Sequence, residues 1–275
     1  MNISANSEKC HVQEASNPRR ERSDKKAGDG PQIHHPFLFR RRCYDALVST
    51  VPRGKFITFE GLDGSGKSTQ LEKLAVVLRA EKLPVLVTRE PGGTRTGEKI
   101  RHLLLDRSVS ALVPLAELAL MFASRAQHLN EVIQPALRQG KIVLCDRFTD
   151  SSEAYQGGGR KLGSDVVLRL HGILCEGLQP DLTILMDSDV ATSVDRARRR
   201  NRSRPGGRND ESRFEQENRA FFERVRDAYL AIARREPERV VVVHARGSPA
   251  ETHRQIVEVV RHKLKLKAAE RGSLE

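Results

Sequence analysis

Residues 61–68 read GLDGSGKS and fit the pattern G-x-x-x-x-G-K-S/T at every fixed position. No other stretch constrains the fold as much. The glycines let backbone N–H groups turn inward and cradle a polyphosphate. Lys67 brings a positive charge to the β/γ-phosphates, and the Ser68 hydroxyl can sit on Mg²⁺. Such a loop works between a strand and a helix. KFITFE (55–60) is a short β-rich run just ahead of it. Leu71, Leu74, Ala75 and Leu78 follow at the i, i+3, i+4, i+7 spacing of a helix face. Alone, the octapeptide also permits a glycine-rich turn capping an ordinary helix; its flanks favour the phosphate loop.

From Gly54 on, strand and helix patterns alternate. Apolar, β-branched runs occupy 55–60, 84–88, 141–145, 182–187 and 239–244. Each is short and near-continuously apolar, as expected of strands covered on both faces. Helical patterns fill 68–80, 96–106, 114–138, 164–176, 189–200, 211–235 and 249–267. This order predicts an α/β chain with the P-loop NTPase fold, a five-stranded parallel sheet flanked by helices. Ligands then bind beyond the carboxyl ends of the strands. Residues 1–53 read as a polar, basic extension. Its first 31 residues have almost no large apolar side chains and are expected to be disordered. The Arg40-Arg41-Arg42 run suits a targeting or docking patch or, more plainly, a solvated tail. The domain is expected over 54–267, with a flexible tail at 268–275.

Charge narrows the function. The formal net charge is +12; residues 1–53 hold 10 basic and 6 acidic side chains, so +8 remains for the rest. That excess suits nucleic acid or a pocket holding two nucleotides with several phosphates. Aromatics are 4 % of the chain and Trp is absent, which leaves few platforms on which bases could stack, so nucleic acid is not expected as a partner. No run approaches the roughly 18 apolar residues of a membrane span, and MNISANSEKC has no secretory pattern. Cys10, Cys43, Cys145 and Cys175 form no C-x-x-C pair. A cytoplasmic protein away from membranes is expected.

The remaining motifs lie at strand ends. TREPGGT (88–94) follows the second strand: Arg89 can clamp a phosphate bidentately, and Gly92-Gly93 allows close backbone approach. DRFTDSSEAYQGGGR (146–160) follows the third. Asp146 sits where a carboxylate could hold Mg²⁺ or its waters, and Arg147 can reach a transferring phosphoryl group. RARRRNRSRPGGR (196–208) is a basic stretch broken by Pro205-Gly206-Gly207, the composition of a mobile lid that carries arginines onto phosphates. His128 and His171 have no metal-ligand partners nearby in sequence and read as structural.

Together FEGLDGSGKST (59–69), TREPGGT (88–94), MFASRAQH (121–128), DRFTDSSEAYQGGGR (146–160) and PDLTILMD (180–187) strongly resemble the thymidylate kinase family, over about Lys55 to Val260. The resemblance implies phosphorylation of dTMP to dTDP by Mg-ATP, on the route to dTTP, in a homodimer. It further implies an ATP site over Gly61, Leu62, Asp63, Gly64, Ser65, Gly66, Lys67, Ser68 and Thr69, with Asp63 also facing dTMP. Arg89 resembles the acceptor phosphate clamp, Phe122 the ring that stacks on thymine, and Arg125 the residue that bonds the base O4. Asp146 and Arg147 match the pair at the reacting phosphates, with Ser68 and Asp146 as the metal positions. Ser151, Ser152 and Gln156 lie in the segment over the nucleoside, and Tyr155 matches the ring expected to crowd out a ribose 2′-OH. Some relatives carry a catalytic arginine after the loop Asp, where this chain has Gly64. The lid is therefore expected to supply it, from Arg198 or Arg200. Phe148 and Ser212 depart from the family pattern, as do the longer, more basic lid (196–213) and the extension. A kinase for another nucleoside or monophosphate and a non-catalytic P-loop switch are the alternatives.

Overall fold

The structure, a computed structural model, describes residues 52–265 except 107–108, 110–111, 203–212 and 246. The expected extension apart from its last two residues, the expected tail and the middle of the expected lid lie outside the described residues.

Five strands form one parallel sheet. They are β1 (Phe56–Glu60), β2 (Val85–Arg89), β3 (Ile142–Asp146), β4 (Leu182–Asp187) and β5 (Val240–His244). Their order is β2-β3-β1-β4-β5. All five apolar runs read from the sequence are strands, within a residue of the expected bounds. From β1 the chain steps out to the edge strand β2, returns to β3 between β2 and β1, then crosses to β4 and β5 on the other side. The loop after β1 thus opens at the point where the winding reverses, where a crevice forms in such sheets.

Side chains alternate between the two faces. Ile57 and Phe59 of β1 and Ile142 and Leu144 of β3 pack with Leu71, Leu74 and Leu78 of α1 (Lys67–Ala80). Ile256 and Val260 of α9 (Pro249–Leu264) complete that layer. On the other face Phe56, Val143 and Cys145 meet Leu118 and Phe122 of α3 (Pro114–His128) and Val167 of α6 (Ser164–Leu174). Phe221, Val225, Tyr229 and Ile232 of α8 (Arg219–Arg235) cover the rest. α2 is Arg95–Leu105, capped by Thr94, whose hydroxyl accepts from the Gly97 N–H. α3 continues through a wide helical turn, Leu129–Ile133, into α4 (Gln134–Arg138).

Two stretches differ from the sequence reading. The expected helix 211–235 is two pieces: a tight turn at Arg213–Gln216, then α8, which starts where the Asn218 side chain accepts from the Phe221 N–H. Residues 149–159 are helical where none was expected, as α5 (Thr149–Ser152) and a wide turn, Glu153–Gly159. The Gly157-Gly158-Gly159 run argues against a helix by propensity. Here it lets the segment press against α8: a Cβ on Gly158 would lie 2.7 Å from that of Ala228, and one on Gly159 2.6 Å from the Phe221 ring. α7 is Val190–Arg202.

Candidate active site

The phosphate loop ends at the N-terminus of α1, with Lys67 in its first turn. A helix N-terminus offers unpaired N–H groups and a positive dipole end to an anion. The Lys67 ammonium is buried and donates to the carbonyls of Gly61 (3.1 Å) and Leu62 (2.8 Å) within the loop. Burial, then the Arg147 guanidinium, pull its pKa down to about 8. Phosphate oxygens arriving there would strengthen the charged form. Ser65 Oγ is buried with no partner in the described residues.

The end of β3 grips both ends of this loop. Asp146 Oδ2 accepts from the Ser68 hydroxyl at 2.5 Å. Arg147 has φ +74°, so the chain turns sharply after Asp146. Its guanidinium donates to Asp63 Oδ1 (2.7 Å), Ser151 Oγ (2.9 Å), Tyr229 OH (3.1 Å) and Tyr155 OH (3.2 Å). Beneath lies Glu60, fully buried, whose carboxylate accepts from the Phe148 N–H (2.7 Å), Ser151 Oγ (2.5 Å) and Tyr229 OH (3.1 Å). Burial and the nearby Asp150 carboxylate push the Glu60 pKa up to about 7.

From there a cleft of about 450 Å³ runs to α3. Gly64, Gly66, Thr69, Arg89, Arg125, Ser151, Ser152, Tyr155 and Gln156 line it along with Asp63, Lys67, Ser68, Asp146 and Arg147. Arg125 is buried at its far end. It donates from Nε to Glu90 (2.6 Å) and from Nη2 to Phe148 O (3.1 Å) and Ser152 Oγ (3.0 Å), while Nη1 finds no partner among the described residues. An orphaned guanidinium N–H in a buried wall calls for an acceptor, and a ligand in the cleft can supply one. Although burial raises the Glu90 pKa, Arg125 and His128 outweigh it and hold Glu90 below the usual carboxylate range. His128 bridges Glu90 (3.0 Å) and Thr88 (2.6 Å), and His171 meets Thr149 at 2.9 Å, so both histidines serve the structure. Arg89 lies at the mouth against Glu98 (3.0 Å).

Two of the expected side chains, those of Phe122 and Arg198, stand outside the cleft. Phe122 does not line the cleft: it is wholly buried in the core, with the Arg125 guanidinium 4.7 Å from its ring centre. Its neighbour Met121 lines the cleft instead, a step of about 100° around the same helix. Arg198 is exposed on α7 and outside the cleft lining, and the side chain of Arg200 lies outside the described residues. α7 itself passes close over Gly64, whose φ is +81°; a Cβ there would lie 2.1 Å from Ser193 O and 3.0 Å from Ala197 N. No side chain, arginine included, fits at position 64 beside this helix. Gly61, Leu62 and Ser65 shape the loop without lining the cleft. The sequence reading passed over Glu60, Glu90, Arg101, Glu117, Phe214 and Tyr229. The one available signal was a charged Glu60 closing an otherwise apolar strand.

Among the described residues, no cluster of three or more His, Cys, Asp or Glu is set to hold a metal. Ser68 and Asp146 nonetheless fit Mg²⁺, which keeps waters and substrate phosphates as ligands and takes only one or two protein oxygens in kinase sites.

The family model described as thymidylate kinase matches residues 59–256. The thymidylate kinase of Trichlorobacter lovleyi is 51 % identical over 209 residues, 76 % of this chain and 98 % of that one. That of Pseudomonas syringae pv. syringae is 52 % identical over 192 residues, 70 % and 88 % of the two chains. The crystal structure of thymidylate kinase from Ehrlichia chaffeensis superposes with a TM-score of 0.60 at 34 % identity, covering 76 % of this chain and 99 % of that one. The match spans the phosphate loop, the cleft and the strands that carry them, and the chain belongs to the thymidylate kinase family.

Proposed function

We propose that this protein transfers the γ-phosphoryl group of ATP to dTMP, giving ADP and dTDP on the route to dTTP. One observation carries the reading: a single cleft joins a phosphate loop to a buried arginine with an unsatisfied donor, with further arginines between them. A nucleotide switch needs the first; a two-substrate kinase needs both.

An oxygen of the dTMP phosphate attacks the γ-phosphorus as the bond to the β,γ-bridging oxygen breaks, and ADP leaves with that electron pair. The attacking phosphate is already ionised, so no general base is required. Lys67, Arg147 and the loop N–H groups meet the charge that develops, and Arg89 holds the acceptor phosphate. Ser68 and Asp146 would hold Mg²⁺, which when bound neutralises the β- and γ-oxygens. Arg198 or Arg200 supplies the lid charge; the packing of α7 on Gly64 supports this, because it rules out an arginine inside the loop. At the other end Arg125 Nη1 donates to the base O4, and Met121 lies where the base would pack. The Tyr155 hydroxyl, 3.3 Å from Asp63, crowds a ribose 2′-OH.

A homodimer belongs to the same proposal. Leu118, Met121 and Phe122 of α3 serve the core or the cleft, but Leu103, Val113, Leu115, Ile173 and Leu174 are exposed apolar side chains on α2, at the start of α3 and on α6. A cytoplasmic location fits too: Cys145 and Cys175 are buried free thiols, and no helix among the described residues is long and apolar enough to cross a membrane.

The test is ADP release with Mg-ATP and a panel of dTMP, dUMP, the ribose analogue of dTMP, dCMP and no acceptor. Turnover dominated by dTMP is expected. Turnover independent of acceptor, or with dCMP instead, overturns the reading.

A further inference from the structure

Behind the acceptor end of the cleft is a second buried carboxylate, Glu117, in the first turn of α3. It is fully buried, and both its oxygens are shared. Oε1 accepts from Gln156 Nε2 (2.8 Å) and Arg160 Nε (3.3 Å). Oε2 accepts from Arg160 Nη2 (3.1 Å) and Arg213 Nη2 (2.6 Å). Arg160 also reaches Glu217 at 2.5 Å, and Arg213 donates from Nε to Leu104 O at 2.6 Å. Two carboxylates thus face two guanidiniums, so the set is neutral and each buried charge has a partner.

The donors come from two parts of the chain that meet the cleft. Gln156 lines it directly. Arg213 and Glu217 flank Phe214, which also lines it, stacked edge-on against Tyr155 with ring centres 5.7 Å apart. The Arg213 and Arg160 guanidiniums lie over the Phe214 ring, at 4.7 and 5.6 Å from its centre. Glu117 stands outside the cleft lining and reaches it through these residues. Its carboxylate fixes which face the Gln156 amide presents, because only the NH₂ end can meet it, leaving the amide oxygen for a ligand.

We infer that Glu117 is a positioning residue: it fixes the Gln156 amide and, through Arg160 and Arg213, seats the Phe214 wall, so that the acceptor nucleoside meets a preformed pocket. This rests on the proposed function, with the monophosphate as the ligand of that wall.

The experiment compares wild type, Glu117→Gln, Gln156→Ala and the double variant in the full chain. KM for dTMP, KM for ATP, kcat and the melting temperature are measured for each. The amide introduced by Glu117→Gln can meet Gln156 by either end and leaves two guanidiniums facing a single carboxylate. Glu117→Gln should raise KM for dTMP about tenfold, the equivalent of ~1.4 kcal/mol, and leave KM for ATP within about twofold. The double variant should show less than the product of the two single effects on KM for dTMP, as expected for residues in one network. A fall in melting temperature with both KM values moving alike, or fully multiplicative effects, would overturn the inference and leave Glu117 a stabilising residue. If Glu117→Gln does not fold, Arg213→Lys takes its place. It should shift KM for dTMP several-fold with KM for ATP unmoved, and an unchanged KM for dTMP refutes the proposal. A wild type that prefers another monophosphate overturns the proposed substrate, while the split against ATP, read with that acceptor, still tests Glu117.

Discussion

Replacing Glu60 with Gln should change how stability depends on pH, by an amount the site itself sets. The Glu60 carboxyl is fully buried, and burial plus Asp150 raise its pKa from the ordinary 4.5 to about 7. Asp150 is itself gripped by Arg239 at 2.7 and 3.0 Å. The folded state therefore binds more protons than the unfolded state between pH 4.5 and 7, and stability falls as pH rises through that window. A shift of this size amounts to about 3 kcal/mol in all, at roughly 1.36 kcal/mol per pKa unit. Most of it, about 2–3 kcal/mol, is lost between about pH 5 and pH 8. For a domain of this size that is roughly 5–10 °C in melting temperature. The amide of Glu60→Gln has no such proton to lose, and the Ser151 and Tyr229 hydroxyls can rotate to suit it. Melting curves at about pH 5 and pH 8 should show wild type losing about 5–10 °C more than Glu60→Gln between the two. Equal losses would show that Glu60 is charged throughout, and would refute the balance of burial against hydrogen bonding argued for it.

Three further outcomes follow from the site. Lys67→Ala should lower kcat by about 10²–10³-fold, the usual cost of removing one preorganised donor to developing charge, with dTMP still bound in calorimetry; near-normal kcat would remove Lys67 from the reaction. Arg125→Met should cost about 3–5 kcal/mol of unfolding free energy in urea, because it strands Glu90 in the interior; a loss under about 1 kcal/mol would show that His128 alone satisfies Glu90. Deleting residues 1–50 should leave kcat and both KM values within about twofold, as for an extension that contributes nothing to the core; a folded but inactive truncation would overturn the disordered-tail expectation.

The strands were legible because each is an apolar run of five or six residues bounded by turn chemistry, and strand ends in a parallel sheet locate the chemistry. That rule places Arg89, Asp146, Arg147 and the phosphate loop at one edge of the sheet, and their motifs name the chemistry. What was not legible is what depends on one residue of rotation or on contacts across the chain. Met121 and Phe122 are both apolar, and periodicity does not say which faces the cleft. Gly157-Gly158-Gly159 reads as a helix breaker until α8 is seen to lie against it. Glu60 and Glu90 lie inside the motifs FEGLDGSGKST and TREPGGT, but as single carboxylates whose roles no spacing gives away, and Glu117 has no motif around it. Their partners, Tyr229, Arg125 and Arg213, stand 169, 35 and 96 residues away.

Asp146 and Arg147 are adjacent in sequence yet hold opposite ends of the phosphate loop, and backbone conformation is what permits it. An extended Arg147 would continue β3. With φ +74° it turns the chain instead, at the ~1–2 kcal/mol typical of a left-handed residue other than glycine. Two hydrogen bonds offset that cost, from the Arg147 N–H to Phe59 O at 3.0 Å and from the Phe148 N–H to Glu60 at 2.7 Å. Both acceptors belong to the last two residues of β1, just before the loop begins. The strand that launches the loop therefore also fixes the turn that grips it, through Ser68 on one side and Asp63 on the other. Within that grip Lys67 bonds to two loop carbonyls, and an ammonium has a third N–H to offer a phosphate oxygen. The loop is thus held in shape before any nucleotide arrives, and Glu60, which lies outside the cleft lining, sits at the root of both restraints.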